Sequence, residues 1–186
     1  LAEIIKNLKL NKKDILIALG PGGKREANRW PAERFRDLAH YLLQKYNAKI
    51  VIVGGRDDIE KAKTIKDDLL DKNVFIVAGQ LSFLETLELL KSCAFLISNS
   101  TGTIHLGAAA GIPAIGLYTI RDILGRWFPY GDNHKILYHK FLDCNYRDEK
   151  CIKKSIEMIS VDEVKQACDE IITRIIQQEI APHCTN

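Results

Sequence analysis

The sequence predicts an α/β domain built on a Rossmann-like, doubly wound parallel sheet, and three observations carry that expectation. Short apolar runs alternate with stretches of helical periodicity along nearly the whole chain. The runs are continuously apolar, the pattern of strands covered on both faces. Three of them end in loops rich in glycine, hydroxyl or acidic residues, at 20–23, 54–58 and 99–102. In such sheets ligands lie outside the carboxyl ends of the strands, near the point where strand order reverses.

Each element has its own signal. Residues 14–19 form the first apolar run and stop at Gly20-Pro21-Gly22-Gly23, which continues neither helix nor strand. Trp30-Pro31-Ala32-Glu33 opens a helix with proline at its start, and Phe35, Leu38, Ala39, Leu42 and Leu43 give it an apolar stripe. Residues 49–53 are a second strand, closed by Gly54-Gly55 and followed by a charged helix over 57–70 whose Glu60, Asp67 and Asp68 form a solvated face. Residues 74–77 are a third strand. Ser82 and Glu85 make a capping box for a helix whose buried face is Leu84, Leu87, Leu89 and Leu90. Residues 93–97 are a fourth strand, and a small polar turn leads to a helix carrying Ile104, Leu106, Ala108 and Ala109 and ending at Gly111. Residues 114–118 are a fifth strand. A loop over 121–131 carries Trp127, which is read with Trp30 as a packing residue, and residues 134–138 are a short last strand. Residues 139–159 read as charged and irregular, and Ser160 with Glu163 starts a final helix to about Gln178.

Composition narrows the function classes. The chain has 186 residues, 46% hydrophobic and 27% charged, which is enough apolar material for one core. A net charge of +3 is too small to indicate nucleic acid or a membrane surface as partner. No run approaches a membrane span in length, and no secretory leader is recognisable. Leu1 is not Met, and residues 1–10 read like the end of an amphipathic helix, as in a piece of a longer protein. Five cysteines are scattered without a C-x-x-C; Cys93 and Cys168 read as buried. Cys144 and Cys151 lie seven apart, a poor zinc spacing, and are read as free thiols with a disulfide or a metal as the alternatives. That usage fits the reducing cytoplasm. No cofactor and no metal is expected.

The stretch 97–113, I-S-N-S-T-G-T-I-H-L-G-A-A-A-G-I-P, is where chemistry is expected. A strand, a tight hydroxyl-rich turn and a helix start make an anion site, because first-turn N–H groups lack intrahelical partners and the helix dipole adds positive charge. Ser100 or Thr101 caps the helix, Gly102 lets a ligand approach the backbone, and His105 lies one turn in. The loops hold neither G-x-G-x-x-G nor a Walker A sequence, so a standard dinucleotide fold or P-loop is not indicated.

The order and spacing of several short stretches resemble the heptosyltransferases, the ADP-heptose:lipopolysaccharide glycosyltransferases of family 9. These are Gly20-Pro21-Gly22-Gly23 with Arg29-Trp30-Pro31, then Val53-Gly54-Gly55 ahead of an acidic helix, then Ser98-Asn99-Ser100-Thr101-Gly102 with His105 and Ala108-Ala109. Arg126-Trp127-Phe128-Pro129-Tyr130-Gly131 and the loop cysteines followed by Ile159-Ser160-Val161 complete the set. The resemblance implies the C-terminal, donor-binding half of a GT-B fold. Residues 1–13 would then be a remnant of a preceding segment or interdomain linker, 14–180 the nucleotide-sugar-binding domain, and 181–186 a tail.

It further implies an inverting transfer of a sugar, heptose from ADP-heptose, to a lipopolysaccharide-type acceptor, at the inner face of the cytoplasmic membrane and with peripheral membrane association. The acceptor domain and its general base would precede Leu1, leaving this stretch inactive alone and without a catalytic residue of its own. Carried over by position, Ser100, Thr101, Gly102 and His105 would surround the diphosphate, Gly22 and Gly23 would line the same cleft, and Asp58 would meet the nucleotide ribose or cap its helix. The family usually has Asp where Ser100 stands and Lys where Asn28 stands; Lys24, Arg25 or Arg29 would restore the positive charge, unless they are simply solvated. Two alternatives are a GT-B-type sugar-nucleotide epimerase, which needs an acid/base pair from Asp57, Asp58 or Asp122, and a non-catalytic nucleotide-binding module.

Overall fold

The structure, a computed structural model, describes residues 1–11, 14–67, 69, 71–123, 125–143 and 145–180. Expectations for Asp68, Cys144, Cys184, the end of the charged helix at Leu70 and the tail at 181–186 lie outside the described residues.

The strands are β1 (Leu16–Gly20), β2 (Lys49–Ile52), β3 (Val74–Ile76), β4 (Phe95–Asn99), β5 (Ala114–Tyr118) and β6 (Lys135–Tyr138). They form one sheet in the order β3-β2-β1-β4-β5-β6, and every pairing is parallel. The helices are α1 (Ala2–Leu8), α2 (Ala32–Tyr46), α3 (Ile59–Asp67), α4 (Phe83–Leu90), α5 (Gly102–Ala109), α6 (Glu149–Glu157) and α7 (Val161–Ile180). This is the doubly wound Rossmann-like domain expected. The chain runs outward from β1 through β2 to β3, then returns to place β4 on the other flank of β1. The β1/β4 seam is therefore the topological switch point.

Both faces are covered because successive strand residues point to opposite sides. In β1, Ile17 and Leu19 enter one core with Phe35, Leu38 and Leu42 of α2 and with residues of α3, α6 and α7. Leu16 and Ala18 enter the other, with Leu89 and Leu90 of α4, Ile104 and Leu106 of α5 and Leu8 of α1. Lys49 Nζ, paired with Asp14 at 2.9 Å, also donates to the Leu8 carbonyl at 2.8 Å and so satisfies the end of α1.

Trp30 is buried before α2, its ring 5.0 Å from Phe35 in an edge-to-face contact and its Nε1 donating to the Ile159 carbonyl at 2.8 Å. Such a ring pair adds about 0.5–1.5 kcal/mol beyond burial. On the outer face of α2, Asp169 of α7 accepts from the hydroxyls of Tyr41 and Tyr46 and from Lys45 Nζ at 2.9 Å.

Three expectations are corrected. Residues 139–159 are not irregular throughout. Asp148 caps α6 by accepting from the Lys150 N–H at 3.1 Å, and Ile152 and Ile156, four apart, are buried. Three lysines and two glutamates around that pair hid the stripe. Leu84 is not on the buried face of α4 but 68% exposed. At about 100° per residue it lies roughly opposite the mean direction of Leu89 and Leu90. Trp127 is not a packing residue: it is 56% exposed, because the neighbouring Phe128 makes the ring contact with Tyr118, at 5.1 Å. Cys93 and Cys168 are buried as expected, and Cys151 is a free thiol.

Candidate functional site

The site begins with Asn99, the last residue of β4 and fully buried. A polar side chain enclosed at this point has to satisfy its hydrogen-bonding groups within the protein. Its Nδ2 donates across the switch point to the Pro21 carbonyl at 2.8 Å and the Gly22 carbonyl at 3.0 Å, and its Oδ1 accepts from the Trp30 N–H at 3.0 Å. One carboxamide thus ties the loop after β1 to the end of β4 and to the entry of α2. Beside it the strands approach so closely that a Cβ on Gly20 would lie 2.6 Å from Ser98 Oγ.

Thr101, rather than Ser100, caps α5: its hydroxyl accepts from the Thr103 N–H at 3.3 Å. Gly102 is exposed, and a Cβ there would meet nothing within 4 Å. The α5 N-terminus therefore opens onto free space at Gly102, presenting the positive end of the helix dipole, while the Thr103 and Ile104 N–H groups are held by Thr101. Ser100 turns away and donates to Asp122 Oδ1 at 3.0 Å.

From the β2 side, Asp58 Oδ2 accepts from the Gly55 N–H at 2.9 Å. Its carboxylate lies so close to Gly22 and Gly54 that a Cβ on either would collide with it, at 2.8 Å in the case of Gly54. Asp58 is at once a helix cap and a wall of the cleft.

These loops enclose a cleft of about 620 Å³. Of the residues singled out from sequence, Gly22, Gly23, Lys24, Arg29, Asp58, Ser100, Thr101 and Gly102 line it together, with Arg25, Asn28, Gly55, Asp57 and Thr103. His105 does not. It lines an adjoining pocket of about 350 Å³ that shares Ser100, Thr101 and Gly102 with the cleft and adds Asp122 and Trp127.

The cations differ. Arg29 is committed to the loop: Nε donates to the Gly23 carbonyl at 2.6 Å and Nη1 to Glu26, which also takes Lys61 at 2.9 Å. Those two cations hold the Glu26 carboxyl below the usual carboxylate range, Lys61 more strongly. Among the described residues, nothing forms a hydrogen bond or ion pair with the side chains of Lys24 and Arg25. Asn28 Oδ1 is buried beside the cleft with no hydrogen-bond partner among the described residues. The carboxylates that an epimerase would require do not converge. Asp57 and Asp58 line the cleft and Asp122 the adjoining pocket, and Asp58 and Asp122 are each held by local donors. Among the described residues no helix is long and apolar enough to cross a membrane.

Asn99 is legible from sequence only as part of the rim loop, and Asp122 only as a candidate epimerase carboxylate. That Asn99 ties three stretches together and that Asp122 holds Ser100 is decided by pairings across crossovers.

A parallel sheet with three rim loops gathered at its switch point is the Rossmann-like architecture of the C-terminal domain of GT-B enzymes. The family model for glycosyltransferase family 9 (heptosyltransferase) matches residues 3–157, and the chain belongs to that family. A lipooligosaccharide heptosyltransferase 2 of Haemophilus ducreyi is 28% identical over 116 residues, which is 60% of this chain and 33% of that enzyme. A glycosyl transferase family 9 structure from Veillonella parvula superposes with a TM-score of 0.78 at 26% identity, covering 93% of this chain and 50% of that one. The E. coli heptosyltransferase WaaC with ADP superposes with a TM-score of 0.70 at 22% identity, covering 88% of this chain and 46% of that one. The chain thus spans about half the length of the solved relatives it matches.

Proposed function

We propose that this domain binds the nucleotide-sugar donor of an inverting glycosyltransferase, with ADP-heptose as donor and a lipopolysaccharide-type acceptor, working at the inner face of the cytoplasmic membrane. The observation that carries the reading is the convergence of the Gly22-Gly23 loop, Asp58 and the open α5 N-terminus on one cleft that Lys24 also lines. The diphosphate would lie against the backbone of Thr101 and Gly102, where N–H groups and helix dipole favour negative charge. Lys24 adds a charge-assisted contact, and Asp58 faces the ribose hydroxyls. That a neighbouring fold is known with ADP supports adenine as the base to try first.

In the transfer an acceptor hydroxyl attacks the anomeric carbon, the bond to the diphosphate oxygen breaks with its electron pair, and the hydroxyl proton passes to a base. This domain would stabilise the departing diphosphate. The base and the acceptor contacts would come from sequence outside this stretch, which by itself is expected not to turn over. Peripheral membrane association belongs to the acceptor side of the reaction.

Calorimetry with ADP, GDP and UDP tests the reading. ADP is expected to bind saturably, and Thr101→Ala to weaken it with the fold intact. No binding of any nucleoside diphosphate to the full chain would end it, and binding indifferent to that substitution would favour a site elsewhere.

A further inference from the structure

The summed charge of +3 conceals an uneven surface. Many surface lysines are paired, among them Lys45 with Asp169, Lys61 with Glu26 and Lys91 with Glu88. Around α6 the cations stand apart. Among the described residues, no carboxylate forms an ion pair with Lys140, Arg147, Lys150 or Lys154. Asp148 is committed to the Lys150 N–H at 3.1 Å and the Cys151 thiol at 3.3 Å, and Glu157 lies 3.8 Å from Lys153. At about 100° per residue, Lys150 and Lys154 lie on the side of α6 opposite the buried Ile152 and Ile156, and Glu149 lies on its flank.

The Lys154 ammonium stands 4.7 Å from the Phe141 ring, which brings the stretch before α6 against that outer face. Leu142, next in the chain, is 91% exposed, and Tyr146, with Arg147 5.4 Å from its ring, is 57% exposed. The one carboxylate beside Leu142 in the chain is Asp143. An aliphatic side chain held out in water, an amphipathic ring and four unpaired cations suit a surface that is anionic at its rim and apolar just beneath. Long basic side chains reach phosphates in many geometries, so no shaped groove is needed to receive them.

We propose that the outer face of α6, together with Leu142 and Tyr146, is a contact for an anionic bilayer: the two apolar residues enter the headgroup boundary, and Lys140, Arg147, Lys150 and Lys154 meet lipid phosphates. Among the described residues no helix is long and apolar enough to cross a membrane, so the contact is interfacial. α6 packs against the single helical turn Glu26–Asn28, whose Asn28 lines the donor cleft, so the patch adjoins that cleft. It belongs to this domain, whatever the acceptor side contributes, and does not depend on the donor reading.

Flotation of the full chain with vesicles tests it, comparing equal mixtures of phosphatidylglycerol and phosphatidylcholine with phosphatidylcholine alone. The chain is expected to float with the mixed vesicles only, and less as salt rises. Reversing two charges, Lys150→Glu with Lys154→Glu, should weaken partition about tenfold or more, and Leu142→Ser about fivefold. All three side chains are exposed, so melting temperatures should stay at the parent value. Equal binding to both vesicle types, no binding to the mixed ones, or binding indifferent to both variants overturns the patch. Loss on charge reversal with Leu142→Ser indifferent also overturns it, in favour of a soluble polyanion. No nucleotide enters the test, so failure of the patch leaves the donor cleft standing, and absence of ADP binding leaves the patch standing.

Discussion

The Asn99 side chain holds the Trp30 N–H at 3.0 Å although the two residues lie 69 positions apart. The same side chain grips the Pro21 and Gly22 carbonyls, so the position of the Gly22-Gly23 loop relative to Thr101 depends on one buried carboxamide. Removing it leaves a buried N–H and two carbonyls without partners, each costing about 1–3 kcal/mol before relaxation. Asn99→Ala is expected to lose about 2–4 kcal/mol, and Asn99→Asp more, since a carboxylate would face two carbonyls. Urea unfolding would measure both. An Asn99→Ala protein as stable as the parent would show that the loop does not need this tie.

Gly102 separates folding from binding. Its backbone is not in the left-handed region and an added Cβ meets nothing. Gly102→Ala should therefore leave stability unchanged or raise it by about 0.4–1 kcal/mol. The same methyl stands where the diphosphate is proposed to touch the backbone, so ADP affinity should fall about tenfold. Thermal melting and calorimetry on one sample distinguish the two effects.

Lys24 and Arg29 predict opposite phenotypes. Lys24→Ala should melt like the parent yet bind ADP several-fold more weakly, with a shallower dependence on salt, because an exposed cation acts through a screened field. Arg29→Ala should lower the melting temperature, since it releases the Gly23 carbonyl and Glu26 together. Salt titrations of ADP affinity from low to physiological ionic strength check the first, and a melt the second.

Asp169 makes the stability pH-dependent. Burial raises its pKa, and the hydrogen bonds from Tyr46, Lys45 and Tyr41 together outweigh that, leaving it below the usual value. A depressed carboxylate stabilises fully above its unfolded pKa of about 3.9 and loses that contribution as pH falls through the folded value. Asp169→Asn should cost about 1–2 kcal/mol at pH 7, discounted for partial exposure, and its deficit should shrink below about pH 4. At the alkaline end, burial and then Asp169 push Tyr46 up to about 12, so its ionisation should open the same contact between α2 and α7 only near that pH. Denaturation midpoints of the parent and variant across pH decide it. A constant difference from pH 7 to pH 3 would mean that Asp169 acts as a neutral acceptor.

Much of the fold was legible because its signals are local. Continuous apolar runs give buried strands, and capping boxes at Ser82 and Ser160 place the starts of two helices; both boxes form. The errors came where local signals competed. Charges around Ile152 and Ile156 hid α6, and Leu84 follows the apolar run of α4 without facing the core. Trp127 was read from its size, when the outcome depended on Phe128 taking the packing position against Tyr118.

What the chain order alone determined is the alternation of strands and helices and the chemistry of three rim loops, since each depends on residues a few positions apart. Only the folded sheet decided that β4 lies beside β1, and with it that Asn99 reaches Trp30, that Asp58 lies against Gly22, and that Asp122 shares a pocket with His105. Those contacts join residues from 17 to 69 positions apart. They exist because parallel strands require long crossovers, so the groups that share a site come from separate stretches and no short window contains their relation.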